Sequence, residues 1–191
     1  MRARFTLAVA LLAAALTACG APTVTSTEDK EAAISKPTGD TGSGGEASAN
    51  KPATAKIGSV ITLNGFDNAK VAVKLSRVFP NAASAIDGIG PGPGNRFYGV
   101  ELVLKNVGET PYEDAPSNGA VLIDDEGQQY SSTIVDLKGG VPLNGTVTLG
   151  PGDVRKGVIG FEVPKNAKIT RLQFALNSGM ADHKGIWHLT K

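Results

Sequence analysis

The chain has 191 residues, among them 19 Lys and Arg, 18 Asp and Glu, and a formal net charge of +1. This near balance of charge argues against a basic surface that binds nucleic acid. The single cysteine, Cys19, has no partner in the chain for a disulfide and forms no cluster of thiolates for a metal.

The N-terminus carries an export signal. Arg2 and Arg4 precede about a dozen mostly apolar residues, which fits the ~7–15 of a signal-peptide core and falls short of the ~20 of a membrane-spanning helix. Small residues stand directly before Cys19. The segment therefore resembles a bacterial lipoprotein signal more than a plain secretory signal or an uncleaved anchor. The resemblance implies that residues 1–18 are removed and that Cys19 carries lipid, so we expect attachment to the extracytoplasmic side of the cell membrane.

A polar segment follows the lipidation site. From residue 19 to residue 55 the chain is rich in Ser, Thr, Gly, Pro and charged residues, and beyond alanine its only aliphatic side chains are Val24 and Ile34. Too little apolar surface is available to offset the loss of chain entropy, so the sequence predicts a disordered linker. A flexible chain of this length spans about 30–35 Å. Residues 56–191 remain for one folded domain.

Alternating apolar and polar residues predict strands along this domain. The apolar series, in chain order, are Val71-Val73-Leu75, Tyr98-Val100-Leu102-Leu104, Val121-Ile123, the run Gln128 to Ile134, Ile159-Phe161-Val163, Leu172-Phe174-Leu176 and Trp187-Leu189. Gly127 closes a hairpin between the third and fourth of these. We expect Phe161 and Phe174 to face one core from two sheets and Trp187 to point inward. No segment after the signal has a helical period, and the prediction is an all-β, antiparallel sandwich of seven or eight strands.

Four motifs in a fixed order resemble a known family. The strand 96–108 ends in an N-x-G turn, and the hairpin 121–130 has the form D-x-x-G-x-x-Y. Residues 149–152 have the form L-x-P-G, and the strand 158–164 ends in F-x-V-P. This order resembles a domain of unknown function found on Gram-positive and actinobacterial lipoproteins, which is similar in fold to a small secreted mycobacterial antigen. The resemblance implies an immunoglobulin-like sandwich. No catalytic residues are established for the family, so it implies none here.

The two histidines offer a weak metal site. Asp182 stands beside His183, and His188 follows five residues later. Imidazoles and a carboxylate suit zinc or copper. On an extended chain this separation places the two rings on opposite faces, so a shared metal would require a bend at Gly185. The prediction is that no metal is bound.

Two loop segments are weak candidates for binding. Asp124 and Asp125 place two carboxylates at a hairpin tip. They are either ligands of a weakly bound calcium ion or acceptors of hydrogen bonds within the turn. Gly90, Gly92 and Asn95 belong to a Gly-Pro segment without the Lys-Ser or Lys-Thr of a phosphate loop. This segment predicts a long exposed loop, either purely structural or a contact surface.

These features predict a binding or scaffolding module rather than an enzyme. No serine-nucleophile motif and no converging acid–base pair is present in the sequence, and we expect no cofactor. The expected partners are the membrane, through lipid on Cys19, and a protein or glycan of the cell envelope, with no nucleic acid. The alternative is a small-ligand or metal-ion carrier that delivers its cargo to a transporter.

Overall fold

The computed structural model describes residues 52–190, within the compact unit Gly45–Lys191. The signal segment, Cys19 and the expected linker up to residue 51 lie outside the described residues. Two short 3-10 turns, Phe66–Asn68 and Pro116–Gly119, interrupt the strands. The strands are β1 (Ala53–Lys56), β2 (Val60–Asn64), β3 (Lys70–Ala82), β4 (Asn95–Asn106), β5 (Tyr112–Asp114), β6 (Ala120–Asp124), β7 (Gln129–Thr133), β8 (Val147–Leu149), β9 (Val154–Pro164), β10 (Ile169–Ala175) and β11 (Lys184–His188).

The strands form an all-β sandwich, as predicted. Strands β1, β11, β10 and β6 form one layer, and β9, β4, β3 and β2 form the other. Strand β7 pairs with β6 on one side and with β9 on the other, so it joins the two layers. Strands β5 and β8 form a separate two-stranded sheet. Pairing between the named strands is antiparallel except for β1 and β11, which run parallel.

Each of the seven segments that the alternation predicts corresponds to a strand, although Gln128, Ile134, Leu176 and Leu189 lie just outside the strand ends. The structure adds β1, β2, β5 and β8. Three of the added strands have only three or four residues, too few for a visible alternation. The sheet begins at Ala53, three residues before the predicted domain boundary. Ala53 and Ala55 are the half-buried residues of β1, and alanine is too common in the preceding segment to mark where a strand starts.

One core lies between the two layers. Phe161 of β9 and Phe174 of β10 are fully buried in it, as predicted, and Trp187 of β11 points inward beside them. The indole N–H of Trp187 donates to the carbonyl oxygen of Ser59, at 3.1 Å, and so ties β11 to the start of β2. In residues 52–190 no helix has the length and apolar character needed to cross a membrane.

Candidate binding loops and the motifs around them

Two long loops lie side by side at one end of the β3, β4 and β9 strands. The first loop, residues 83–94, joins β3 to β4, and the second loop, residues 134–146, joins β7 to β8. The backbone N–H of Ala85 donates to Asp136 O at 2.7 Å, and that of Lys138 donates to Ala83 O at 2.8 Å. These bonds make the two loops one connected unit, which we call the loop edge.

The second loop lies directly on the outer face of the β4–β9 sheet. Gly99 and Gly160 are register partners on these strands. A Cβ at Gly160 would stand 2.5 Å from Val135 Cγ1, and one at Gly99 would stand 3.0 Å from Leu137. Val135 and Leu137 join a small second core on this face with Phe97 and Val158. The two glycines therefore make room for the loop, a close approach that glycine inside a strand often marks.

The predicted Gly-Pro loop is exposed but anchored. The Glu162 carboxylate accepts the backbone N–H of Gly92 at 2.9 Å and the side-chain amide of Asn95 at 2.8 Å. The Asn95 amide and, after it, the Gly92 N–H lower the pKa of Glu162. Gly90 has open space around its Cα, with no heavy atom within 4 Å of a Cβ built there. Asn95 and Gly92 thus hold the loop on β9.

The loop edge presents apolar side chains to solvent. Ile134 is 93% exposed, Ile86 is 55% exposed and Ile89 is 53% exposed. The antiparallel bridge between Ser84 and Leu137 brings the segments that carry Ile86 and Ile134 alongside each other. The sequence predicts exposure for the Gly-Pro segment beside Ile89, but it does not predict that Ile134 lies on a loop paired with this segment.

The hairpin carboxylates have separate structural roles. Asp124 is buried, and its Oδ1 accepts the backbone N–H groups of Glu126 and Gln128 while its Oδ2 accepts the hydroxyl of Tyr130 at 2.8 Å. Burial by itself raises the pKa of Asp124, but these donors outweigh it and leave the pKa below the usual range. Asp125 is paired with Lys168 at 3.5 Å. The oxygens of Asp124 therefore bind the turn itself.

The structure separates the two histidines. His183 precedes β11, and its Nδ1 accepts the backbone N–H of Asn64 at 3.2 Å. His188 ends β11 and is exposed, about 16 Å further along an extended strand. Asp182 is exposed beside His183. Within residues 52–190, no three His, Cys, Asp or Glu side chains stand close enough to share a metal.

A buried carboxylate pairs with two exposed cations on the outer face of the sheet beside the second loop. The Glu101 carboxylate accepts Arg77 Nε at 3.2 Å and Arg77 Nη2 at 2.6 Å, and Lys156 Nζ lies 3.3 Å away. The hydrogen bond from Arg77 lowers the pKa of Glu101 against the opposing effect of burial. Sequence reasoning missed this cluster because β3, β4 and β9 are distant in the chain.

An open groove of about 490 Å³ runs between the second loop and β9. Its walls come from the segment 141–148 and from Arg155 and Lys156. Neither histidine lines it.

Comparison with known proteins agrees with the fold and with the motif order. The secreted protein MPT63 of Mycobacterium tuberculosis aligns with a TM-score of 0.52 and 18% identity, over 72% of this chain and 98% of that protein. The candidate lipoprotein ycdA of Bacillus subtilis aligns with a TM-score of 0.51 and 17% identity, over 68% of this chain and 38% of that protein. A search of curated proteins finds no match. Residues 62–184, from β2 to β11, match the family described as Domain of unknown function (DUF4352), and the chain belongs to that family.

Proposed function

We propose that this protein is a non-catalytic binding module held at the extracytoplasmic side of the cell membrane by lipid on Cys19. The signal before Cys19 supports the location, as do the descriptions of the structural neighbours, one secreted and one a candidate lipoprotein. The buried carboxylates Glu101, Asp114 and Asp124 are all engaged by donors of the fold itself, which favours structural over catalytic roles.

The loop edge is the binding surface of this proposal. Exposed apolar side chains that cluster on an anchored loop favour contact with another protein over contact with a polar glycan, because the partner must bury aliphatic surface. The observation that carries the proposal is the exposure of Ile86, Ile89 and Ile134 on two loops that are hydrogen-bonded to each other, the second of which is also held by a small core.

Site-specific crosslinking in intact cells tests the loop edge. A photoreactive residue at position 89 should give a discrete, heavier adduct, and the same residue at exposed Met180, in the turn between β10 and β11, should not. Adding Ile134→Asp should abolish the adduct formed from position 89 while leaving the melting temperature unchanged, because Ile134 is almost fully exposed. An adduct that forms equally from positions 89 and 180, or that persists with Ile134→Asp, would contradict the proposal.

Cell fractionation tests the anchor. Cys19→Ser should move the protein from the membrane fraction to the medium or the soluble fraction, because Cys19 alone follows a signal core and small residues. A variant that stays in the membrane fraction after a wash in high salt would refute lipid attachment at Cys19.

The small-ligand alternative rests on the groove beside β9. Native mass spectrometry of protein gently purified from its own cells should then show a bound small molecule, and Gly145→Trp, which places an indole on the groove wall, should remove it. A folded protein with no mass beyond that of the chain and its lipid would count against a carrier.

A further inference from the structure

The outer face of β2, β3, β4 and β9 is basic beside the second loop and beyond it. The core-facing residues Val71, Val73 and Leu75 of β3 are fully buried, so Lys70 and Lys74 point outward. A β-bulge between Leu75 and Arg77 turns Arg77 to the same outer face, opposite Glu101. The same alternation applies to β4 and β9. The outward cationic residues of this basic face are Lys70, Lys74, Arg77, Lys105 and Lys156.

Strand register fixes how these charges are arranged. One row across the four strands reads Val60, Lys74, Val103, Lys156, and the next row reads Thr62, Ala72, Lys105, Val154. At the usual strand spacing, Lys74 and Lys156 are about 10 Å apart at Cα, and Lys105 lies about 8 Å from each. Lys74, Lys105 and Lys156 thus surround small or medium apolar side chains on this face.

The one carboxylate among these charges is already neutralised. Glu101 is buried beneath Arg77 and Lys156, so five cationic side chains face one carboxylate and the basic face has a net charge of +4. Asp67, Glu109 and Asp153 stand in the turns that precede or follow these strands, and Asp153 accepts the backbone N–H of Gly150. A concentration of this kind is unexpected in a chain whose total charge is +1.

Apolar side chains accompany the lysines. Val60 and Val154, at the two sides of the basic face, are both more than half exposed. A sheet face that mixes lysines with exposed apolar groups suits a membrane interface, where headgroup charge and shallow apolar contact act together. A soluble polyanion would gain nothing from the valines.

We propose that the basic face docks onto the anionic lipid surface of the membrane to which the chain is anchored. This inference rests on the anchoring proposed above for Cys19. The residues between Cys19 and Ala53 reach at most about 120 Å even when fully extended, so the anchor keeps the domain at a high local concentration near the lipid. The chain enters the domain at β1, which contacts β2 at the side of the basic face. The loop edge lies at the other end of the same strands, so docking keeps it close to the membrane surface.

Vesicle binding of the unlipidated chain tests the basic face separately from the anchor. Residues 20–191 contain every residue that the structure describes and none of the apolar signal core. This chain should sediment with vesicles that contain phosphatidylglycerol and not with pure phosphatidylcholine vesicles. Binding should weaken as salt rises from 0.1 to 1 M, because the Debye length falls from about 10 Å to about 3 Å.

Charge-matched variants locate the surface. Lys74→Gln with Lys105→Gln should lower the partition coefficient about 25-fold, since one lysine near an anionic membrane contributes about fivefold. Lys138→Gln with Lys165→Gln removes the same charge from the opposite end of these strands and should have little effect. Both proteins should keep the wild-type melting temperature, because the four side chains are exposed.

Two results would overturn the inference. One is equal loss of binding in the two double variants, and the other is binding of soluble polyphosphate or DNA with no binding to anionic vesicles. Either result leaves the Cys19 fractionation and the crosslinking from position 89 unaffected, so failure of the basic face is distinguishable from failure of the proposed function.

Discussion

The side-chain amide of Asn106 donates a hydrogen bond to the carbonyl oxygen of Leu149, at 2.9 Å, across 43 residues of sequence. The same amide donates to Thr110 O at 2.8 Å, and Asn106 Oδ1 accepts the N–H of Gly108 at 2.9 Å. Asn106 opens the N-x-G motif and Leu149 opens the L-x-P-G motif. The hydrogen bonds of one buried side chain, that of Asn106, therefore hold the two family motifs together.

Asn106→Ala should destabilise the fold strongly. The substitution removes all three hydrogen bonds of a fully buried side chain. The Gly108 N–H keeps a bond to Lys70 O, but the carbonyl groups of Thr110 and Leu149 lose this donor, and an unsatisfied buried group typically costs about 1–3 kcal/mol. We expect the free energy of unfolding to fall by more than about 2 kcal/mol in urea titrations. Asn64→Ala, at an exposed position of β2, should change it by less than about 0.5 kcal/mol. Similar costs for the two variants would contradict this role for Asn106.

The D-x-x-G-x-x-Y motif has a comparable physical basis in the hairpin between β6 and β7. Asp124 accepts N–H groups of its own turn, Gly127 adopts the positive φ of 85° that the turn requires, and the hydroxyl of Tyr130 completes the set of donors. The hydrogen bond to Asp124 in turn raises the pKa of Tyr130.

Tyr130→Phe should lower stability in a pH-dependent way. The pKa of Asp124 in the folded state lies below its unfolded value of about 3.9. The stabilisation from this carboxylate is therefore complete above that value and is lost as the pH falls through the folded pKa. Removing the Tyr130 hydroxyl reduces the difference between the two pKa values. The gap in melting temperature between wild type and variant should be widest at pH 7 and should shrink towards pH 2.

Tyr98→Phe is the matched control for this experiment. Tyr98 lies beneath the guanidinium of Arg96, whose carbon is 5.5 Å from the ring centroid. The effect of Tyr98→Phe on the melting temperature should be the same at pH 7 and pH 2. A gap for Tyr130→Phe that stays constant across this range would show that Asp124 is not stabilised by the hydroxyl.

Alternation predicted the strands whose apolar faces are long enough to read. Val71, Val73 and Leu75 have only one register that buries them, and Phe161 and Phe174 follow the same rule on β9 and β10. Alternation does not predict strand β1, because the inward residues of this strand are alanines. The partners of Glu101 could not be predicted, since a single carboxylate in a strand does not indicate which distant cations it will meet. The loop edge depends on pairing between loops, which leaves no periodic trace in the sequence.

Phe161→Ala should leave a marginal protein. A buried phenylalanine truncated to alanine costs about 3–5 kcal/mol, against a typical total stability of about 5–15 kcal/mol. Phe174→Ala should cost a similar amount, because both rings are fully buried in one core. The control is Phe66→Ala, whose side chain is about half exposed. Urea midpoints measured for the three variants should place Phe66→Ala near wild type, and a midpoint as low as that of Phe161→Ala would contradict the assigned core.

Gly160→Ala should detach the second loop from the sheet. The new Cβ would stand 2.5 Å from Val135 Cγ1 and 3.2 Å from Val135 O, so either the loop or the strand must move. Overpacking of this kind typically costs about 1–3 kcal/mol. The displaced loop should also be cut faster by a protease at Lys138, a rate that a melting curve does not report. Gly145→Ala in the same loop meets no heavy atom within 4 Å and should leave both stability and cleavage unchanged. The contrary result is a lower melting temperature for Gly160→Ala without faster cleavage at Lys138. That result would mean that β9 takes up the strain, and that hydrogen bonds to the first loop, rather than packing on Gly99 and Gly160, hold the second loop in place.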